Sequence, residues 1–201
     1  MRKTVVIASN NAHKAREIAE ALDFPGWEFR TLRELGIASD PEEDADTFEG
    51  NARIKARAAR EASGGRAVLA DDSGLVVDAL DGAPGVRSAR YAGEDATDAA
   101  NNSKLLDELA DVPDAQRTAR FVCTLVFIDE DGSEEVAHGV VEGRIGRAER
   151  GEHGFGYDPL FLPDVFGGER TLAEALPQEK NAVSHRGNAL RALRARIEEG
   201  A

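Results

Sequence analysis

An α/β fold is what this sequence predicts, and three observations predict it. Thr4 to Ala8 is a short apolar run that passes through polar Ser9, Asn10 and Asn11 into a helical pattern, with Ala15, Ile18, Ala19 and Leu22 recurring on one face. After a second strand-like run, Trp27 to Thr31, a long helical pattern from about Thr47 to Ala62 leads into another apolar run, Ala67 to Leu69. Strands alternating with helices in this way build parallel-strand units. Finally, 201 residues with 41% hydrophobic content suffice for one domain with a full core, organised as two lobes around a cleft.

The remaining elements follow from the same signals. Asp46 and Glu49 have capping-box spacing at the start of the long helix. Gly82 to Val86 is rich in turn formers and runs into Arg87, Ser88, Ala89, Arg90 and Tyr91. A helix is predicted from about Thr97 to Leu109, where Leu105, Leu106 and Leu109 form its apolar side. Phe121 to Ile128 and Glu134 to Ile145 read as a long hairpin around Asp129 to Gly132, suited to an arm of the second lobe or a dimer contact. Ser184 is a fair cap for a C-terminal helix with Leu190, Leu193 and Ile197 along one stripe. There is no internal repeat, low-complexity tract or interdomain linker.

Composition removes several functions. A formal net charge of −13 lacks the basic footprint of a non-specific nucleic-acid binder and disfavours anionic membrane surfaces. No stretch approaches the roughly 20 apolar residues that span a bilayer, and the apolar run after Met1, Arg2 and Lys3 is too short for a signal peptide. A cytoplasmic protein is expected. Cys123 is the single cysteine, which rules out an internal disulfide, and its apolar surroundings mark it as a core residue. An anionic ligand then needs locally concentrated cations. Arginine outnumbers lysine 20 to 5, and three of the lysines, Lys14, Lys55 and Lys180, lie in segments distinguished for other reasons.

The most informative segment is Ala70, Asp71, Asp72, Ser73 and Gly74, which places two adjacent carboxylates where a buried strand should emerge. Neighbouring strand side chains point to opposite faces, so one carboxylate can bind a metal while the other orients or activates. Taken alone, the same residues also compose a solvated turn. The loop from Ser9 to Lys14 offers helix-start amides and a lysine to an anion, or merely a cap at Asn10 or Asn11; it lacks the glycines of a Walker loop or dinucleotide fingerprint. Asp40, Glu42, Glu43, Asp44 and Asp46 form either a solvated acidic loop or the remainder of a Mg2+ shell with Asp72. Asn51 and Lys55 share a helix face. In Gly151 to Asp158, three glycines allow close backbone approach while Phe155 and Tyr157 offer flat surfaces and Asp158 an acceptor, a combination suited to a nucleobase or to a mobile loop. Lys180, His185 and Arg186 lie around the start of the last helix.

In this order, the segments resemble the inosine and xanthosine triphosphate pyrophosphatases, enzymes that remove non-standard purine nucleotides. The resemblance covers nearly the whole chain: Ser9, Asn10 and Lys14; Thr47, Phe48, Asn51 and Lys55; Ala70 to Gly74; Gly82 to Gly85 with Ser88 to Tyr91; Phe155 to Asp158; and Ser184 to Arg186. It implies an elongated mixed α/β fold, a central sheet with two lobes enclosing a nucleotide cleft, and a homodimer. It further implies metal-dependent hydrolysis of ITP, dITP and XTP to the monophosphate and pyrophosphate, with Mg2+ as cofactor.

By that similarity, Asp72 is the catalytic residue and a metal ligand, Glu42 is the second metal ligand with Glu43 as the alternative register, and Ser73 contacts substrate. Ser9, Asn10, Asn11, Ala12, His13 and Lys14, with Lys55, would bind the triphosphate. Phe155, Gly156, Tyr157 and Asp158, with Lys180, His185 and Arg186, would form the base and sugar end, Lys180 and Arg186 supplying donors to a 6-oxo group. Other readings fit less well. A receiver-type phosphoacceptor needs its acids after the first strand, where Ser9, Asn10 and Asn11 stand, and a haloacid-dehalogenase-like phosphatase needs a spacer between Asp71 and Asp72. A septum-associated nucleotide pyrophosphatase, from a related fold with other base preferences, is the nearest enzyme alternative, and the Phe155 to Asp158 and Ser184 to Arg186 motifs argue against it. A non-catalytic nucleotide sensor is the remaining rival.

Overall fold

A computed structural model describes residues 2–21, 24 and 26–199; Leu22, expected on the first helix's apolar face, lies outside them. Among the described residues, six strands and five α-helices follow one another, alternating as far as the fourth strand. They are β1 (Lys3–Ala8), α1 (Ala12–Ala21), β2 (Trp27–Thr31), α2 (Phe48–Ala62), β3 (Ala67–Val77), α3 (Asp98–Glu108), β4 (Thr118–Ile128), β5 (Glu134–Ile145), β6 (Phe161–Pro163), α4 (Pro177–Val183) and α5 (His185–Glu199). The strands hydrogen-bond in the order β2-β1-β3-β4-β5-β6. β1 runs parallel to both β2 and β3, whereas β5 and β6 are antiparallel, so the sheet is mixed, as expected. Among the described residues no helix is long and apolar enough to cross a membrane.

Two compact units divide the chain, and the division falls inside β3, β4, β5 and α5. The first comprises Met1–Asp72, Cys123–Gly139 and Arg186–Ala201; the second comprises Ser73–Val122 and Val140–His185. In the first unit, side-chain parity sorts the core into two layers. Val5, Ile7, Ala67, Leu69, Cys123, Leu125 and Phe127 pack with Ala15 and Ile18 of α1 and Leu190 and Leu193 of α5. Val6, Ala8, Val68, Ala70, Val126 and Ile128 pack with Ala52, Ala56 and Ala59 of α2. Three alanines along one helix face let α2 lie close to the strands. In the second unit a single core gathers Leu75, Val77, Leu105, Leu109, Phe121, Tyr157, Phe161 and Leu172. Buried Arg117 completes it by donating to the carbonyls of Leu109, Ile145 and Gly146 at 2.5, 2.9 and 2.7 Å, which satisfies an orphan carbonyl at the end of α3.

Several expectations are corrected. β3 does not end at Leu69 but continues through Asp71, Asp72, Ser73 and Gly74 to Val77, because both aspartates are buried and find cationic partners there. β4 and β5 are interior strands of the sheet rather than a projecting arm. The turn between them is nonetheless the expected one, closed by Gly132 and Asp129 amides on the Asp129 and Ser133 carbonyls at 3.0 and 2.9 Å. Thr47, not Asp46, caps α2, its hydroxyl accepting from the Gly50 amide at 3.0 Å. α4 and β6 carry too few periods to be read in advance.

Candidate active site

The register of β1 against β3 sets the site. Ala8, the last residue of β1, pairs with Ala70, so the chain leaves β1 beside Asp71 and turns directly into α1. Asn11 caps that helix: its side-chain oxygen accepts from the His13 and Lys14 amides at 2.9 and 3.1 Å. Asn10 instead reaches across to the Ser39 carbonyl and the Asp40 carboxylate, at 3.0 and 3.1 Å, tying the loop to the acidic segment. One turn inside α1, Lys14 Nζ lies 2.9 Å from Asp71 Oδ1.

Asp71 continues the Ala67 and Leu69 face and is the hub of a buried network. Its second oxygen accepts from Arg186 Nε and Cys123 Sγ, each at 3.1 Å. Arg186 is also paired with Glu17, one turn beyond Lys14 on α1. Burial alone raises the Asp71 pKa, but Arg186, Lys14 and Lys55 outweigh it and hold the carboxyl well below its ordinary range. The same burial and the Asp71 charge push the Cys123 thiol well up, so it is a hydrogen-bond donor and not a nucleophile.

Asp72 points the opposite way, on the Val68 and Ala70 face that α2 covers. Lys55 Nζ donates to Asp72 Oδ1 at 2.8 Å and pairs with Glu43 Oε2 at 2.9 Å. Asp72 Oδ2 is buried with no hydrogen-bond partner among the described residues. Burial raises the Asp72 pKa against the pull of Lys55 and Lys14. In Lys55 the balance is reversed: burial lowers the pKa, but Asp72, Glu43 and Asp71 together raise it. Glu42 is exposed while Glu43 is half-buried, the alternation of an extended segment, and only Glu43 reaches Lys55. Asn51, on the same helix face as Lys55, fixes that segment by accepting from the Ala45 amide at 3.0 Å. Close approach also explains Gly50, where a Cβ would lie 2.5 Å from the Ala45 Cβ.

The second unit assembles the aromatic motif. Asp158 Oδ2 accepts from the Phe155 amide at 2.9 Å and from Lys180 Nζ at 2.7 Å. The Lys180 ammonium also sits 4.7 Å from the centre of the Phe155 ring. Gly154 is required by this arrangement: it has φ +80°, and a Cβ there would come within 2.2 Å of Asp158 Oδ2. Gly154→Ala is therefore expected to lower stability by about 1–3 kcal/mol, read as a fall in the thermal midpoint. Tyr157 is not a flat surface for a ligand: it is buried in the core and its hydroxyl donates to the Ser88 carbonyl at 2.8 Å. His185 is buried with its ring stacked on Phe121, centroids 4.7 Å apart. Ser73 directly follows Asp72 in β3.

Lys14, Lys55, Asp71, Asp72, Glu43 and Arg186 are thus brought together in the first unit, and Phe155, Asp158 and Lys180 in the second. Asp71 and Asn51 stand in motifs the sequence marks without a binding role assigned to either, whereas Glu17 is marked by no motif. Glu17 carries a faint signal, three positions from Lys14 on the same helical face.

A mixed α/β sheet that carries a buried aspartate pair flanked by lysines, beside the end of β1, places the chain in the class of α/β proteins with a charged site at the strand ends. Comparison with known proteins narrows the class. The chain belongs to the Ham1 family, whose pattern matches residues 5–196. It is 49% identical over 194 residues to a dITP/XTP pyrophosphatase of Exiguobacterium sibiricum, covering 96% of both chains. It is 51% identical over 191 residues to the dITP/XTP pyrophosphatase of Escherichia coli O157:H7, covering 94% of this chain and 95% of the other. A solved Ham1 protein from Coxiella burnetii superposes with a TM-score of 0.87 at 44% identity, over 98% of this chain and 99% of that one.

Proposed function

We propose that this chain hydrolyses the triphosphates of inosine, deoxyinosine and xanthosine to the nucleoside monophosphate and pyrophosphate. Relatives named dITP/XTP pyrophosphatase, about half identical over nearly the full length of both chains, support the reaction and the substrate class. The observation that carries the reading is Asp72: a buried carboxylate with one oxygen on Lys55 and the other with no hydrogen-bond partner among the described residues. A buried oxygen of that kind is destabilising unless something binds it. It fits a hard divalent cation, Mg2+ in this proposal, with Glu43 as the second ligand in place of Glu42. Two carboxylates suit an ion that takes its remaining ligands from phosphate and water. When bound, the ion neutralises phosphate charge and orients the chain for attack at the α-phosphorus.

The protein's own groups supply the rest. Lys14 and Lys55 counter the charge that develops on the departing pyrophosphate. Asp72, with its raised pKa, takes a proton from the attacking water more readily than an exposed aspartate would. The Asp71 network holds Lys14 in place from the other face of the strand. In the second unit, Phe155 presents a ring face and Lys180 an ammonium donor suited to a 6-oxo group; adenine offers an amino group there, leaving donor against donor. The proposal includes a homodimer, checked by light scattering of the purified chain.

Lys180→Ala alone would strand the buried Asp158 charge, so the informative change is the double variant Lys180→Met with Asp158→Asn. Its preference for ITP over ATP is expected to fall about tenfold, the effect of one lost discriminating hydrogen bond. An unchanged preference would remove Lys180 from base recognition. The reading as a whole is tested by incubating the chain with ITP, XTP, dITP, ATP and GTP, with and without Mg2+, and separating pyrophosphate from single phosphate. Mg2+-dependent pyrophosphate release confined mainly to ITP, dITP and XTP is expected. Tight ITP binding without products would make the chain a nucleotide sensor instead.

A further inference from the structure

Helix α3 grips one residue of the Phe155–Asp158 loop at both of its backbone polar groups. The Gly156 amide donates to Asp98 Oδ2 at 2.6 Å, and the Gly156 carbonyl accepts from Asn102 Nδ2 at 3.2 Å. Asp98 and Asn102 stand four residues apart and so share one face of α3. Immediately before Gly156, the Phe155 amide is fixed on Asp158 and its ring lies against Lys180. The peptide that carries the Phe155 ring is therefore anchored on both sides, once by Asp158 and once by α3.

Asn102 is an expensive way to hold a loop. It is 3% exposed, and its Oδ1 is buried with no hydrogen-bond partner among the described residues. An unpaired buried acceptor destabilises by more than the single hydrogen bond of the same amide returns. Gly156 is half-exposed, so water can serve its carbonyl if Asn102 does not. For stability alone, a leucine at position 102 is as good or better. The amide is explained if the loop has to be held in one pose.

We propose that Asp98 and Asn102 are positioning residues that fix Gly156, and through it the Phe155 ring, in the pose that accepts a 6-oxopurine. The proposal rests on the reading above that this loop carries the base. It predicts that stability and substrate affinity move independently, which a merely structural role does not.

The test combines hydrogen–deuterium exchange over residues 152–160 of the ligand-free protein, the thermal midpoint, and steady-state kinetics with ITP and ATP. For Asn102→Leu, exchange in the segment should quicken and KM for ITP should rise about tenfold, the loss of one hydrogen bond's worth of positioning, with kcat within about twofold and the midpoint unchanged or higher. Asp98→Ala should behave similarly, and Asp98→Asn, whose amide oxygen still accepts from Gly156, should restore both exchange and KM. Unchanged exchange and KM in Asn102→Leu, or a KM rise that tracks a falling midpoint, would overturn the proposal. If the exchange effects appear but the wild-type chain does not hydrolyse ITP, the clamp stands and the base-loop reading fails.

Discussion

Asp72→Asn is expected to slow pyrophosphate release from ITP by about 10³-fold or more, while the thermal midpoint moves by only a few degrees. The two halves of this expectation have one cause. Asp72 is buried, its pKa is raised by that burial, and one of its oxygens has no hydrogen-bond partner among the described residues. Keeping a charge there destabilises the fold, so a neutral amide of the same shape relieves as much as it removes. Lys55 keeps a carboxylate at 2.9 Å, since Glu43 remains beside it. What the amide cannot do is bind a hard cation tightly or take a proton from water. Activity should therefore collapse in a protein that unfolds normally. Near-normal turnover in that folded variant would remove Asp72 from both roles. Glu43→Gln sharpens the result, because it should raise the Mg2+ concentration needed for half-maximal rate, whereas Glu42→Gln, at an exposed position, should leave it nearly unchanged.

Much of this arrangement is legible in the sequence because it depends on periods. The parity that sends Val68 and Ala70 to one face and Ala67 and Leu69 to the other also separates Asp72 from Asp71, and it holds in the structure. The pairing of Asn51 with Lys55 follows from helical spacing in the same way. What could not be read depends on long-range partners. Nothing local tells that Asp71 will meet Arg186, 115 positions away, and so the strand seemed to end where it actually continues. Likewise, which of Glu42 and Glu43 the extended segment turns toward Lys55 is a matter of tertiary register, and it is Glu43 that pairs with Lys55. Tyr157 misled because an aromatic beside glycines looks like a ligand platform until Ser88 is found beneath its hydroxyl. Asp98 and Asn102 had helical spacing but nothing to mark their common target.

Asp71→Asn should act on the fold rather than on chemistry, and with a larger effect on stability than any other change in the site. The carboxylate is fully buried between Lys14 and Arg186, with Cys123 donating to it. Neutralising it leaves Lys14 and Arg186 without that buried counter-charge, although Arg186 keeps its pairing with Glu17. Breaking a buried pair by removing one partner destabilises by about 3–5 kcal/mol, equivalent here to a midpoint lower by roughly 6–20 °C. The dependence on pH distinguishes this cause from a packing defect. Because the folded carboxyl titrates well below its unfolded value of about 3.9, the unfolded chain binds the extra proton first as pH falls. The stabilisation is complete at neutral pH and drains away below about pH 4 as pH approaches the folded pKa. The wild-type midpoint should therefore fall toward that of Asp71→Asn as the solution is acidified, narrowing the gap measured at pH 7. A gap that stays constant down to the acid transition would mean that Asp71 contributes through shape and not through charge.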